Sequence, residues 1–345
     1  MNRHICLTRD NLNWAGYNHN MTKILVTGAG GFIGGHLVSS LLAQGFDVRA
    51  VDIKPLNKWY QPHLEAENES RDLSKLEECR ASVVGVNHIY NLAADMGGMG
   101  FIESHKADCM LSVLINTHML LAAKEVGVER FFFSSSACVY SAGKQEVPDL
   151  DPLRESDAYP AMPEDGYGWE KLFSERMCRH FAEDFGIHTR VARFHNVYGP
   201  FGTYDGGREK APAAICRKIA QAKISKTPAI EIWGDGNQTR SFMYIDDCVV
   251  GTQMIMKGQS SEPVNLGSEE MVTINQLVSL TESIAGITVE RRYNLSAPQG
   301  VRGRTSDNTM MRDVYGWEPT TALLTGMTAT YRWIYDEIVS GRVAI

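Results

Sequence analysis

Four residues at two spacings in this chain are of types that move protons. In YGWEK, Tyr167 and Lys171 lie four apart, so they share one face if the segment is helical. Set there, the lysine charge lowers the phenol's pKa, and a phenolate takes a proton from an alcohol near neutral pH. Upstream, the apolar run RFFF leads into SSSACVY. Ser136 is placed to hydrogen bond the same alcohol oxygen. Cys138, two residues on in a strand-like segment, is expected to emerge on the same face. Tyr167, Lys171 and Ser136 together predict alcohol–ketone chemistry, and a thiol beside them becomes a base if a nearby cation favours its thiolate.

Such chemistry needs a hydride carrier, and the chain offers a site for one. ILVTGAGGFIGGHLVSSLL sets Gly28, Gly31 and Gly34 between an apolar strand and a helix, with Phe32 and Ile33 opening that helix. Glycines there allow a tight turn and close approach to a pyrophosphate, which the helix N–H groups face. The next strand ends in Asp52, about 20 residues on, where a carboxylate accepts from ribose hydroxyls. It would repel a 2′-phosphate, so NAD is expected rather than NADP. Asp72, in SRDLSK, is expected to reach the adenine.

The elements that must position these groups are visible in the apolar pattern. KILVTG, DVRAVD, HIYNLAA, RFFFSSS and TRVARFHNVYG read as strands separated by helical stretches, which predicts an α/β fold with a doubly wound parallel sheet. After Tyr198 comes a Gly-rich charged loop, GPFGTYDGGREKAPAA, that runs into a helix. AIEIWGDGNQTRSFMYIDD reads as strands and turns, TINQLVSLTESIAG as a helix with a threonine near its N-cap, and LLTGMTATYRWIYDEI as the closing helix.

At 345 residues the chain can bury one large core or two smaller ones. Its cysteines form no CxxC pair, and His36, His105, His180 and His195 show no ligand spacing, so neither a disulfide framework nor a metal is expected. A net charge of −7 opposes non-specific nucleic-acid binding. An anionic ligand must therefore meet a local cluster of cations. No run approaches the roughly 18 apolar residues of a membrane span, and the first residues lack a signal peptide's apolar core. The expectation is a cytoplasmic protein with no membrane partner.

From about Thr22 to the C-terminal helix the chain resembles the extended short-chain dehydrogenase/reductases that modify nucleotide sugars. NLAADMGGMGFI, SSSACVY, RFHNVYGPFGTYDGGREKAPAA, WGDGNQTRSF and GVRGRTSDN narrow the resemblance to the branch acting on GDP-mannose. It implies oxidation at C4 with bound NAD, inversion at C3 and C5 beside the ketone, and reduction again, yielding GDP-L-galactose and GDP-L-gulose. A C4 ketone acidifies both neighbouring protons through an enolate, and inversion then needs a base on one face and an acid on the other. By resemblance, Cys138 and Lys210 are that pair.

The resemblance further implies a Rossmann-type NAD-binding domain over 22-195, with 236-267 returning to it. A smaller α/β substrate-binding domain would take 196-235 and 268-345, residues 1-21 would be an N-terminal extension, and the protein would be a homodimer. Substrate contacts are carried over to Gly97, Ser136, Ala137, Cys138, Asn196, Glu209, Lys210, Ala211, Lys218, Gln238, Arg240, Ser241, Arg302 and Arg304. Of these, Gln238, Arg240, Ser241, Arg302 and Arg304 would meet the two phosphates, where guanidinium forks suit bidentate recognition. An epimerase-reductase of GDP-4-keto-6-deoxymannose would instead use NADPH and a histidine in place of Lys210. A non-catalytic dinucleotide sensor on the same fold would have lost Tyr167 or Lys171.

Overall fold

Strand alternation sorts the apolar residues of the first half into two layers. In β1 (Lys23–Thr27), Ile24 and Val26 join one buried cluster while Leu25 joins another on the opposite face. Phe132 and its neighbours Phe131 and Phe133 divide in the same way. The computed structural model describes residues 22-227 and 229-342, and the expected extension over 1-21 lies outside them.

After β1 come α1 (Phe32–Ala43), β2 (Asp47–Asp52), β3 (Glu67–Ser70), α2 (Leu76–Ser82), β4 (His88–Asn91), α3 (Met99–Ser104), α4 (Lys106–Val126) and β5 (Arg130–Ser136). Next are α5 (Tyr167–Phe185), β6 (His188–Phe194), β7 (Val197–Tyr198), α6 (Ala211–Ser225), β8 (Ala229–Trp233), β9 (Thr239–Ser241), β10 (Met243–Tyr244) and α7 (Ile245–Lys257). The chain closes with β11 (Val264–Leu266), β12 (Met271–Thr273), α8 (Ile274–Ala285), β13 (Glu290–Asn294), β14 (Gly303–Arg304), α9 (Thr309–Tyr315) and α10 (Leu323–Val339).

The main sheet runs β11-β6-β5-β4-β1-β2-β3 with every neighbour parallel. This is the doubly wound Rossmann order with one strand added at the β6 edge. Helices α1 and α7 cover one face; α2, α4 and α5 cover the other. Strand order reverses between β1 and β4, and the cleft beyond their C-terminal ends is where such sheets bind ligands. Thr27 secures that point: its hydroxyl donates to Asn91 Oδ1 at 2.8 Å and accepts from the Leu92 and Ala93 N–H groups at 3.1 Å.

A separate apolar cluster joins α6, α8 and α10 to the β8–β13 pair, through Ile215, Ile230, Leu277 and Ile334. Thr273 caps α8 in a capping box with Gln276. β9 lies between β12 and β14 in a small sheet of its own. α9 packs on β11, and its Met311 enters the main-sheet core, so this part of 268-345 lies with the dinucleotide-binding half. The described cysteines are buried free thiols.

By length and composition α4 is apolar enough to cross a membrane. Polar residues such as Ser112, Asn116 and Thr117 interrupt its apolar run. In the fold it packs on α2 and α5 and buries Cys109, Met119, Leu120 and Ala123.

Buried His195, whose Nε2 meets Asn265 Oδ1 at 2.9 Å, has its pKa pushed down to about 4 by burial. It stays neutral in the fold while the unfolded chain takes up a proton near pH 6.5, so its contribution is present above 6.5 and lost as pH falls toward 4. The shift corresponds to about 3 kcal/mol. We expect unfolding midpoints to fall between pH 7.5 and 4.5, and His195→Gln to flatten that slope. An unchanged slope in denaturant titrations would remove His195 as its source.

Candidate active site

The turn between β1 and α1 needs glycine at Gly28 and Gly34. Gly28 has φ +69°, and a Cβ there would lie 3.0 Å from Ala93 N. One at Gly34 would come within 2.2 Å of Gly28 O. Gly31 caps α1 with no acidic residue in the helix's first turn, so the N–H end started by Phe32 and Ile33 is left to an anion. Asp52, buried at the end of β2, accepts from Lys54 N at 2.9 Å. A cradle free of Cβ atoms, an acid-free helix start and a carboxylate at the second strand's end fit the pyrophosphate and ribose of a dinucleotide. Asp72 instead binds its own loop: it accepts from Ser74 N and Oγ at 3.1 and 2.6 Å and pairs with Lys75 at 3.3 Å, and the Ser74 hydroxyl leads in holding its carboxyl low.

Tyr167 opens α5, and Gly168 lets that first turn rest on the preceding segment. A Cβ at Gly168 would stand 2.3 Å from Cys138 O, so only glycine admits this approach. The buried phenol shares a hydrogen bond with the Ser136 hydroxyl. Lys171 is 1% exposed; its Nζ lies 5.4 Å from the Tyr167 ring centre, 4.8 Å from that of Phe133, and 3.3 Å from Glu170 Oε2. The expectation that Lys171 lowers the phenol's pKa fails within the protein's own charges. Burial raises the Tyr167 pKa well above its ordinary value, charges at Cys138 and Glu170 add to the rise, and the Ser136 bond opposes it. The Glu170 carboxylate, 3.3 Å from the lysine, opposes the lysine's charge at the ring.

Cys138 reaches the site by a different route from strand alternation. β5 ends at Ser136, and Ala137–Val139 form one 3₁₀ turn whose Cys138 N–H donates to Ser136 Oγ at 3.2 Å. The capping serine rotates the thiol into a pocket shared with Tyr167, Phe101 and Cys109, whereas Ala137 is buried against Tyr140 and Leu172. Arg304 Nη1 lies 3.7 Å from Cys138 Sγ, its Nε donates to Gln145 Oε1 at 2.7 Å, and its Nη2 pairs with Glu164. Register places Arg304 opposite Arg240 on β9.

Arg240 donates instead to backbone carbonyls, those of Thr239, Gln299 and Val301. Burial draws its pKa down to about 10. Arg302 is held by Asp235 through both Nη atoms at 3.1 Å, a pairing that keeps the Asp235 carboxyl down near about 2. Both arginines expected from VRGR to meet phosphates therefore already pair with carboxylates. Arg240 remains for an anion.

Lys210 forms the N-cap of α6, immediately before Ala211. Burial lowers its pKa, and charges at Cys138 and Cys248 oppose that shift, which places its ammonium in the field of the thiol. Glu209 accepts from Gly207 N at 2.7 Å and from Arg217 Nη2 at 3.0 Å; Lys218 Nζ donates to Glu231 O at 2.7 Å. Glu209 thus braces its own loop, and Lys218 ties α6 to β8. Asn196, at φ +43°, donates to Ser241 O at 3.0 Å. Buried Ser241 Oγ and Gln238 Oε1 lack hydrogen-bond partners, as groups awaiting a ligand do. What approaches Gly97 is the chain itself: a Cβ there would lie 2.8 Å from Phe101 Cβ and 3.2 Å from Arg208 Cα. Sequence reasoning missed Gln145 and Glu164, which orient Arg304, because no spacing links them to it.

A Rossmann sheet whose ligand-binding edge carries a Ser–Tyr–Lys cluster defines an enzyme that exchanges alcohol and ketone with a dinucleotide. Residues 24–267 match the NAD dependent epimerase/dehydratase family, and the chain belongs to it. It is 47% identical over 317 residues to a GDP-mannose 3,5-epimerase of Oryza sativa subsp. japonica, covering 92% of this chain and 82% of that protein. Among solved structures, a UDP-glucose 4-epimerase from Thermotoga maritima with UDP-glucose superposes with TM-score 0.83 at 25% identity, over 92% of this chain and 100% of the other. UDP-glucuronic acid 4-epimerase from Bacillus cereus, in complex with UDP-glucuronic acid and NAD, gives TM-score 0.78 at 26% identity over 91% and 99%.

Proposed function

We propose that this protein is an isomerase that inverts C3 and C5 of GDP-mannose through a transient 4-keto sugar, giving GDP-L-galactose together with GDP-L-gulose. The observation that carries this is a buried thiol, Cys138, beside the Tyr167 phenol and 3.7 Å from a guanidinium of Arg304. Simple alcohol oxidation has no use for that sulfur. The Gly28–Gly34 cradle and Asp52 would hold NAD, which when bound would supply the acceptor, and later the donor, of the C4 hydrogen with its electron pair. Tyr167 takes and restores the C4 hydroxyl proton while Ser136 orients that oxygen. Cys138 and Lys210 exchange protons with C3 and C5 from opposite faces, and Arg304 steadies the sulfur when it is negative. Arg240, Gln238 and Ser241 meet the phosphates. Asp52 and Lys210 disfavour the NADPH-linked epimerase-reductase.

The test is incubation of purified protein with GDP-mannose and no added cofactor. Inverted sugar without net oxidation is expected, and denaturation should release NAD. Release of NADP, or an absolute need for added reductant, would refute the reading.

The same reading includes a cytoplasmic homodimer. Support comes from an apolar surface on the adjoining helices α4 and α5, where Met110, Leu111, Leu114, Trp169 and Phe173 are exposed at 38–57%. Such a stripe suits a second copy of itself better than water. Sedimentation should give the dimer mass, and Phe173→Glu should give the monomer; a parent protein that sediments as a monomer contradicts it.

A further inference from the structure

We propose that Arg208 is a positioning residue, clasping the loop that carries Lys210 onto Asp95 and Phe101 and so holding the ammonium in place against the sugar. This rests on the reading of Lys210 as the proton donor opposed to Cys138. Arg208 precedes Lys210 by two residues. Its Nη1 pairs with Asp95 and donates to Met96 O at 3.2 Å, while its guanidinium carbon stands 3.6 Å from the Phe101 ring centre. Backbone contacts join the same two segments: Gly98 N–H donates to Arg208 O at 3.0 Å, and a Cβ at Gly98 would lie 2.3 Å from Glu209 O. Phe101 belongs in turn to the buried cluster of Cys138 and Tyr167. The thiol, the phenol and the lysine loop therefore converge on one ring.

Upstream of the clasp the loop has a hinge. Gly206 and Gly207 take φ values of +86° and +85°, with nothing within 4 Å of a Cβ at either, and 205-208 are exposed. The loop's other ties, Gly207 N–H to Glu209 and Arg217 to Asp205 and Glu209, run within the loop and to α6, so the clasp is what fixes the arm against the thiol's cluster. Arg208 and Asp95 are each 44% exposed, and ion pairs that open to solvent contribute little to folding. Displacing a reacting group by about 1 Å costs about 10²-fold in rate. Loss of the clasp should consequently be nearly silent in stability and large in one half of the reaction.

Arg208→Ala and Asp95→Asn are to be made in the full NAD-loaded protein. Sugar oxidation is followed by absorbance of the reduced nicotinamide, and inversion by deuterium entering C3 and C5 from heavy water. Oxidation should stay within about twofold of the parent and inversion fall by about 10- to 100-fold in each variant, with melting temperatures little changed. The double variant should lose no more than Arg208→Ala alone, because Asp95 acts only through Arg208. Inversion at the parent rate, or losses that multiply in the double variant, would overturn the proposal. Should the parent invert no carbon, the role of Lys210 falls separately. The clasp is then judged by hydrogen exchange across 203-211, which should quicken in Arg208→Ala; unchanged exchange would overturn it.

Discussion

Cys138→Ala should oxidise GDP-mannose at close to the parent rate yet invert neither C3 nor C5, a loss of about 10²–10⁴-fold in epimerisation. The separation follows from where the thiol sits. The Cys138 N–H, not its side chain, donates to the capping Ser136 hydroxyl, so the 3₁₀ turn survives truncation. Tyr167 keeps its bond to Ser136, and Arg304 keeps Gln145 and Glu164. What disappears is the sulfur that exchanges a proton with carbon. In heavy water the parent should place deuterium at C3 and C5 but leave the original hydrogen at C4, which never meets solvent. The variant should place none at any of the three. Cys138→Ser is expected to rescue little, since an alcohol ionises far less readily than a thiol. Inversion by the alanine variant at the parent rate would reduce Cys138 to packing.

Tyr167→Phe should abolish the earlier step, lowering oxidation and everything after it by about 10²–10⁴-fold. The phenol is 5% exposed and its hydroxyl bonds Ser136, while the ring packs with Phe101, Ile102 and Cys138. Phenylalanine retains that packing and removes one oxygen. Lys171→Ala is a poorer test, because it would leave the Glu170 carboxylate buried beside no cation, at a cost of about 3–5 kcal/mol. Rapid mixing of the phenylalanine variant with GDP-mannose should show no reduced nicotinamide. Its appearance at the parent rate would transfer the proton-taking role to another group.

The two variants probe parts of the site that differ in how far the sequence could describe them. Tyr167 and Lys171 lie in one helical turn, and Gly28, Gly31 and Gly34 in one strand–turn–helix, so spacing alone brings each set together. Ser136 and Cys138 are equally close in sequence, but extrapolating the strand past Ser136 assigned the wrong geometry. A serine that caps its own following turn ends the alternation there.

The charges around the thiol were less legible still. Arg304 is 166 residues from Cys138, and Arg240 reaches it through the pairing of β9 with β14. No local pattern encodes that register, and none foretells that Asp235 takes Arg302 or that Glu170 takes Lys171.

By itself the sequence determined the elements, the layered α/β fold, the dinucleotide turn and the residue types able to move protons, since all of these depend on periodicity or on neighbours within one turn. Tertiary structure alone decided which cations stay unpaired, what stands beside the sulfur and how the Lys210 loop is clasped. Those outcomes depend on which distant segments share a low-dielectric site, where a partner a few ångströms away decides whether a charge is neutralised by the protein or kept for a ligand.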